Sequence, residues 1–328
     1  MVPPPGLEDR TISSDTPIEW ADDSTSAWWG CTHVSPGCAH CYAETMAARF
    51  KRGSWGAHGE RALRVDACLA DLARFARRGI REGRPRRVFL GSMCDVFDQH
   101  PDLVEPRKRL WDGLHALREG AHVLVLTKRA AEMATWAREH GWPAACWAGV
   151  SVEDQRRADE RIPHLLTVPA AVRFVSAEPL LSGLDLAQWL RPHRCGCSSM
   201  WLDGCGIHSP QCREGQRDIA QVIVGGESGP GARPMNPTWA RSLRDQCESA
   251  GTAYFFKQWG EWAPLEWSCG IDAERGRVST GDGYPDGYKW VAYHRFEDGR
   301  EMARIGKREA GRLLDGRTWD EMPEVTRD

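Results

Sequence analysis

Six apolar runs recur along the chain, each closing on small or polar residues. They are RRVFLGSMCDVFD from Arg86, HVLVLTKRA from His122, ACWAGVSVEDQ from Ala145, VRFVSAEPLL from Val172, QVIVGGESGPGARP from Gln221 and AYFFKQWGEW from Ala253. Each opens with consecutive β-branched or aromatic residues and no polar alternation, the pattern of a strand covered on both faces. Between them lie segments of helical spacing, among them PRKRLWDGLHALREG, AAEMATWAREHG, DQRRADERIPHLLT and PTWARSLRDQCESAG. Strands alternating with helices cannot pair as hairpins and call for a parallel α/β sheet or barrel. At 328 residues the chain has room for one such barrel.

The ends of these runs are polar: Ser92 and Asp95, Lys128 and Arg129, Ser151 and Glu153, Glu178, Glu227 and Ser228, Lys257 and Gln258. One such end is an ordinary turn in which Ser or Asp caps the next helix. Six in succession, with Lys and Glu included, predict a polar site on the C-terminal rim of the strands, where parallel barrels carry their chemistry.

Cysteine usage is uneven. Of twelve, Cys31, Cys38 and Cys41 share the stretch WWGCTHVSPGCAHCYAE, and Cys195, Cys197, Cys205 and Cys212 share a second cluster. Cys68, Cys94, Cys146, Cys247 and Cys269 stand alone and read as small core residues. The N-terminus has no apolar signal core and no window is apolar enough to span a membrane, so a cytoplasmic protein with reduced thiols is expected. Three thiolates can be completed by His33 or His40 into a structural zinc site. Alternatively they hold three corners of a [4Fe–4S] cluster and leave one iron open. The second cluster, with His193 and His208 interleaved, fits tetrahedral zinc; an auxiliary iron–sulfur cluster or free thiols are the other readings.

The string IEWADDSTSAWWGCTHVSPGCAHCYAE, together with GSMCDVF, LTKR, GVSVEDQ, SAEPLL, VIVGGESGPGARPM and FFKQWG in order, resembles the phage Gp37/Gp68 family (DUF5131), which is similar to radical S-adenosylmethionine (SAM) enzymes. The resemblance implies a partial β/α barrel over residues 17–265 and a [4Fe–4S] cluster on Cys31, Cys38 and Cys41. It also implies SAM on the open iron, reductive SAM cleavage, and hydrogen abstraction from a substrate. Six residues separate the first two cysteines against three in the common radical SAM spacing, and Pro36 and Gly37 supply a turn that returns Cys31 toward the others. By the same resemblance His40, ahead of the third cysteine, and Tyr42 after it would lie near the adenine. Glu227 would accept from the SAM amino group or ribose, with Gly225 and Gly226 admitting close approach. Glu178, Lys128 and Arg129 would meet ribose, carboxylate or a substrate anion, and Ser92, Asp95, Ser151, Ser228 and Lys257 complete the predicted cofactor rim. An electron donor such as flavodoxin or ferredoxin is an implied partner.

Residues 191–216 break the alternation and read as a Cys-rich insertion. Residues 1–16 are Pro-rich and read as a disordered tail; residues 266–328 read as an accessory region with a hairpin in GYKWVAYHRFEDGREMARI and a helix in KREAGRLLDGRTWDEMP. The net charge of −3 supplies no global pull toward nucleic acid, so any such contact needs a local patch. Arg49, Lys51, Arg52, Arg61 and Arg64 are one candidate, and Trp28, Trp29, Trp259 and Trp262 flank the predicted mouth. The phage setting of the resembled family implies DNA or nucleotide modification or repair as the function. The competing reading is a non-catalytic zinc protein that recognises nucleic acid or a protein partner.

Overall fold

The computed structural model describes residues 16, 18–117, 119–190, 219–265, 270–272, 277–280 and 289–324. In chain order the described strands and helices begin with β1 (Asp23–Thr25), β2 (Trp28–Trp29), α1 (Tyr42–Phe50), β3 (Ala62–Leu63), α2 (Val65–Glu82), β4 (Arg86–Leu90), α3 (Val104–Ala116), β5 (Ala121–Thr127) and α4 (Ala130–His140). They continue with β6 (Cys146–Ser151), α5 (Gln155–Leu166), β7 (Arg173–Ala177), α6 (Ala187–Leu190), β8 (Gln221–Gly225), α7 (Pro237–Ala250) and β9 (Ala253–Gln258). The expected partial β/α barrel is present as seven parallel strands in the order β1-β4-β5-β6-β7-β8-β9, curled but not closed, since β1 and β9 do not pair.

Both faces of this sheet are filled, which explains the unbroken apolar runs. Successive strand residues point to opposite faces. Val88, Leu90, Val123, Val125, Val175, Val222 and Val224 pack outward against α2, α3, α4, α5 and α7. Phe89, Leu124, Trp147, Phe174, Ile223 and Phe255 face the other way and join Trp20 in an aromatic inner layer. Gly149 makes this layer possible: a Cβ there would lie 2.2 Å from the Phe174 ring.

The C-terminal region forms an antiparallel sheet of β10 (Trp262–Pro264), β11 (Gly270–Asp272), β12 (Arg277–Thr280), β13 (Lys289–Arg295) and β14 (Glu301–Arg304), ordered β10-β14-β13-β12-β11. The expected hairpin is the β13–β14 pair, with Tyr293 opposite Ala303. The helix expected across residues 307–323 is only α8 (Lys307–Ala310). Gly311 ends it, and Asp315-Gly316 adopts positive φ at both residues, 54° and 79°, turning the chain between Leu314 and Arg317. The chain then lies along the free edge of β9. Phe256 N donates to Trp319 O (2.9 Å), Glu321 N donates to Tyr254 O (3.2 Å), and Tyr254 N donates to the Glu321 carboxylate (3.0 Å).

An uncovered strand edge invites pairing with another chain. Trp319 is the anchor of the strap: it is 6% exposed, meets Tyr254 edge-on at 5.7 Å, and donates Nε1 to Leu314 O. Trp319→Ala is expected to cost about 3–5 kcal/mol, read by denaturant unfolding, with light scattering rising as the β9 edge frees.

Candidate functional site at the strand C-termini

β1 and β2 deliver the chain to a loop of residues 30–41 that crosses above the C-terminal ends of the parallel strands. Its first cysteine is fixed from β5. Arg129 donates to Thr32 O (2.8 Å) and approaches Cys31 Sγ at 3.7 Å. The same guanidinium pairs with Asp95 (3.1 Å) and Asp98 (3.0 Å). Arg61 closes the clamp from below. It is buried, pairs with Asp98 at 2.8 Å, and donates to Thr32 Oγ1, Ser54 O, Gly56 O and Gly59 O.

Pro36–Cys38 forms a single 3-10 turn, as the Pro-Gly pair predicted. Gly37 N donates to Glu153 Oε1 (3.4 Å), and a Cβ at Gly37 would stand 3.1 Å from that carboxylate carbon. Glu153 is fully buried and paired to Arg161 at 2.8 Å. Burial pushes its carboxyl up, but Arg161, Ser35 and Lys128 outweigh burial and hold it below its ordinary range. On the loop's other side Arg233 donates to Pro36 O (3.0 Å) and pairs with Glu227 (2.6 Å). Cys41 precedes the first residue of α1, so the helix leaves directly from the third thiol.

All three thiols are free and partly accessible. Burial pushes Cys31 up to about 12, with Asp95 adding to the effect and Arg129 opposing it; burial also raises Cys41. Metal ligation would have to offset the cost of deprotonating Cys31 and Cys41. Among the described residues, no three His, Cys, Asp or Glu side chains converge as a single ion would require. Tetrahedral zinc draws its sulfurs to about 3.8 Å of one another, whereas the corners of an iron–sulfur cube lie farther apart. His40 is committed elsewhere, with Nδ1 3.0 Å from Glu227 and Nε2 turned toward Gly231. His33 pairs with Glu44 at 2.8 Å. With His33 and His40 each paired to a carboxylate, three thiols on one loop are the donor set that a cluster with an open corner would use.

The predicted rim residues divide into clamps and free groups. Asp95 is a clamp: it accepts from Phe97 N, Thr127 Oγ1 and Lys128 N besides Arg129. Glu227 is another, with both oxygens taken by Arg233 and one shared with His40. Burial opposes its charge, but these donors hold its pKa below the usual range. Ser92 Oγ lies 3.2 Å from Ser26 Oγ, and Ser228 Oγ accepts from Gln258 (3.0 Å). Ser151 is buried at the end of β6, where its carbonyl accepts from Arg161. Gly226 admits backbone rather than ligand, since a Cβ there would lie 1.9 Å from Trp259 O.

The free groups are fewer. Lys128 has no ion pair among the described residues, and its charge lowers both Cys41 and Glu153. Glu178 pairs with Lys257 at 2.8 Å through one oxygen, while its Oε1 is buried without a partner. Gly225 leaves open the space beside that carboxylate, 3.3 Å from where a Cβ would sit. The Tyr42 hydroxyl donates to Ser92 O (2.7 Å), while about half of the residue stays exposed. Tyr42, Cys41, Glu178, Lys257 and Lys128 thus form one polar cluster near the third thiol.

Sequence reasoning missed Asp98, Arg61 and Arg233 as clamps, and it set Cys94 aside. Cys94 neighbours Cys31, whose charge is the largest contributor after burial in raising the Cys94 thiol. Its signal was its place in GSMCD at a strand end. Trp28, Trp29, Trp259 and Trp262 are all buried and serve packing. Cys195, Cys197, Cys205 and Cys212 lie outside the described residues.

The molecule is an open β/α half-barrel with a three-thiol loop clamped over its strand C-termini. The chain belongs to the DUF5131 family, described as a protein of unknown function, whose model matches residues 15–323. No curated protein matches it. Among solved structures it is similar to spore photoproduct lyase complexed with dinucleoside spore photoproduct, at 11% identity and a TM-score of 0.43, over 92% of this chain and 73% of that one. A mutant of that lyase with bound AdoMet and the dinucleoside gives 11% and 0.41, over 86% and 72%. Among the described residues, no helix is long and apolar enough to cross a membrane.

Proposed function

We propose that this protein is a radical SAM-type enzyme that acts on nucleic acid or a nucleotide. One observation carries the reading: Cys31, Cys38 and Cys41 ride on a single loop held at Thr32 and Gly37 by members of buried ion pairs, beside a carboxylate oxygen and an ammonium that have no partner among the described residues. These thiols would hold a [4Fe–4S] cluster. When bound, the cluster supplies one electron to SAM, whose sulfonium C–S bond breaks to give methionine and a 5′-deoxyadenosyl radical that takes a hydrogen atom from the substrate.

The chain's own residues bind and orient. Arg129 and Glu153 fix the loop so that the thiols keep their spacing. Lys128 suits the SAM carboxylate, and the free Glu178 oxygen suits a hydroxyl or ammonium donor. Gly225 leaves room beside it, and Tyr42 stands next to Cys41 at the strand C-termini. Lys257 holds Glu178 through one oxygen and so aims the other. The second cysteine cluster is a separate zinc or auxiliary-cluster site in this reading.

The test is anaerobic reconstitution followed by incubation with SAM and dithionite, which replaces the flavodoxin or ferredoxin donor. About four irons per chain, a broad absorbance of thiolate-ligated iron, and 5′-deoxyadenosine are expected. A colourless protein carrying only zinc and producing no 5′-deoxyadenosine would support the recognition-protein reading instead.

A further inference from the structure

The first helix after the cysteines is amphipathic in the wrong sense. α1 turns its small residues, Ala43 and Ala47, inward against Trp29 and Met93. Tyr42, Met46 and Phe50, spaced four apart and so on one face, are 51%, 39% and 54% exposed. A surface helix ordinarily buries its large apolar residues. Val34 and Leu63 are also exposed, so five of the eight exposed large apolar side chains among the described residues fall between positions 34 and 63. Of these, Tyr42, Met46 and Phe50 share one helix face, and a contiguous exposed apolar face is a mark of an interaction surface.

The charge beside it has one sign. Arg49, Lys51 and Arg52 are exposed and have no ion pair among the described residues. Arg49 lies over the Phe50 ring at 5.8 Å, and Arg52 over the Trp29 ring at 5.9 Å. Arg61 and Arg64 do not belong to the patch: Arg61 is the buried clamp, and Arg64 donates to Ser26 O and pairs with Asp71. The stripe starts at Tyr42, whose hydroxyl donates to Ser92 O at the strand C-termini, and runs to Phe50.

We infer that this face of α1 is a track for single-stranded nucleic acid, with bases stacking on Tyr42 and Phe50 and phosphates meeting Arg49, Lys51 and Arg52. Aromatic platforms interleaved with unpaired cations are the chemistry of sequence-tolerant single-strand binding. The stripe begins one residue after Cys41, so a bound strand would run past the cysteine loop. The inference deepens the substrate class of the proposed function and rests on that reading for its purpose, though the surface can be tested without the cluster.

The test is fluorescence anisotropy with a labelled single-stranded DNA of about 15 nucleotides, using the full chain. Binding should weaken with salt, with a log–log slope near about −2 for three phosphate contacts. Phe50→Ala should weaken binding about 5- to 150-fold. Arg49→Glu with Lys51→Glu should weaken it further and flatten the slope by about 1.4. Melting temperature serves as the fold control; because Phe50 touches Trp29 edge-on, the charge-reversal pair decides if Phe50→Ala melts early. Binding indifferent to the charge reversal would overturn the inference. So would equal binding of a labelled poly-glutamate, which would assign the face to an acidic protein partner. Binding through α1 without 5′-deoxyadenosine formation would leave the track standing and end the radical reading; the converse result would end the track alone.

Discussion

Cys38→Ala is expected to abolish iron loading at the loop and to bring 5′-deoxyadenosine formation to background, with little change in fold stability. Cys38 closes the 3-10 turn and is partly accessible. Its nearest polar neighbour is the Ser35 hydroxyl at 3.9 Å, so the variant leaves no charge or buried donor stranded. A substitution of that kind changes stability by about 0.5 kcal/mol or less. The loop is held by Arg129, Glu153 and Arg233, none of which contacts Cys38 Sγ, so the other two thiols stay in place but hold only two corners. Any zinc on Cys195 to Cys212 should remain. Cys68→Ala gives the opposite pattern. Cys68 is fully buried in the core, and its loss should cost on the order of 1 kcal/mol while iron is retained. Unchanged iron content in Cys38→Ala, measured alongside the thermal melt, would place the cluster elsewhere and remove the basis of the proposed function.

The parallel architecture was legible because burial on both faces writes itself into sequence as unbroken runs such as VLVL and QVIV. The rim was legible for a related reason: a strand's C-terminal end is where an apolar run must stop, and Asp95, Lys128, Glu153, Glu178, Glu227 and Lys257 all stand there. What each rim residue does was not legible. Glu227 and Asp95 look as available as Glu178 in one dimension. Only the fold shows that Arg233, His40 and Arg129, 6, 187 and 34 positions away, saturate the first two and leave an oxygen of Glu178 alone. The strap after α8 was misread because its apolar spacing is helical over one turn, while Gly311 and the Asp315-Gly316 pair, a hairpin signal, govern the backbone. The outward face of α1 was missed because Tyr42, Met46 and Phe50 at helical spacing normally signal the buried side; that Ala43 and Ala47 hold that side depends on Trp29 and Met93.

Arg129→Ala should be the most damaging single substitution to the scaffold of the site. The guanidinium is 6% exposed and lies between Asp95 and Asp98, themselves 7% and 2% exposed. Removing one partner of a buried pair leaves uncompensated charge and costs about 3–5 kcal/mol. At 2–4 °C per kcal/mol for a chain of this order, that is a fall in melting temperature of roughly 10 °C. Asp98 keeps Arg61, so the loss falls mainly on Asp95 and on the loop, where Thr32 O and Cys31 lose their donor. Arg129→Lys separates the two effects. An ammonium restores charge between the aspartates but cannot present a planar fork to Asp95, Asp98 and Thr32 O together. Melting temperature should recover in part while iron loading stays low, because the position of Cys31 depends on the fork and not on the charge. Asp95→Asn should reduce the cost of Arg129→Ala, since the two side chains are in contact and their effects should not add. Full recovery of iron loading in Arg129→Lys would show that the charge alone sustains the loop and that the fork does not position the first thiol.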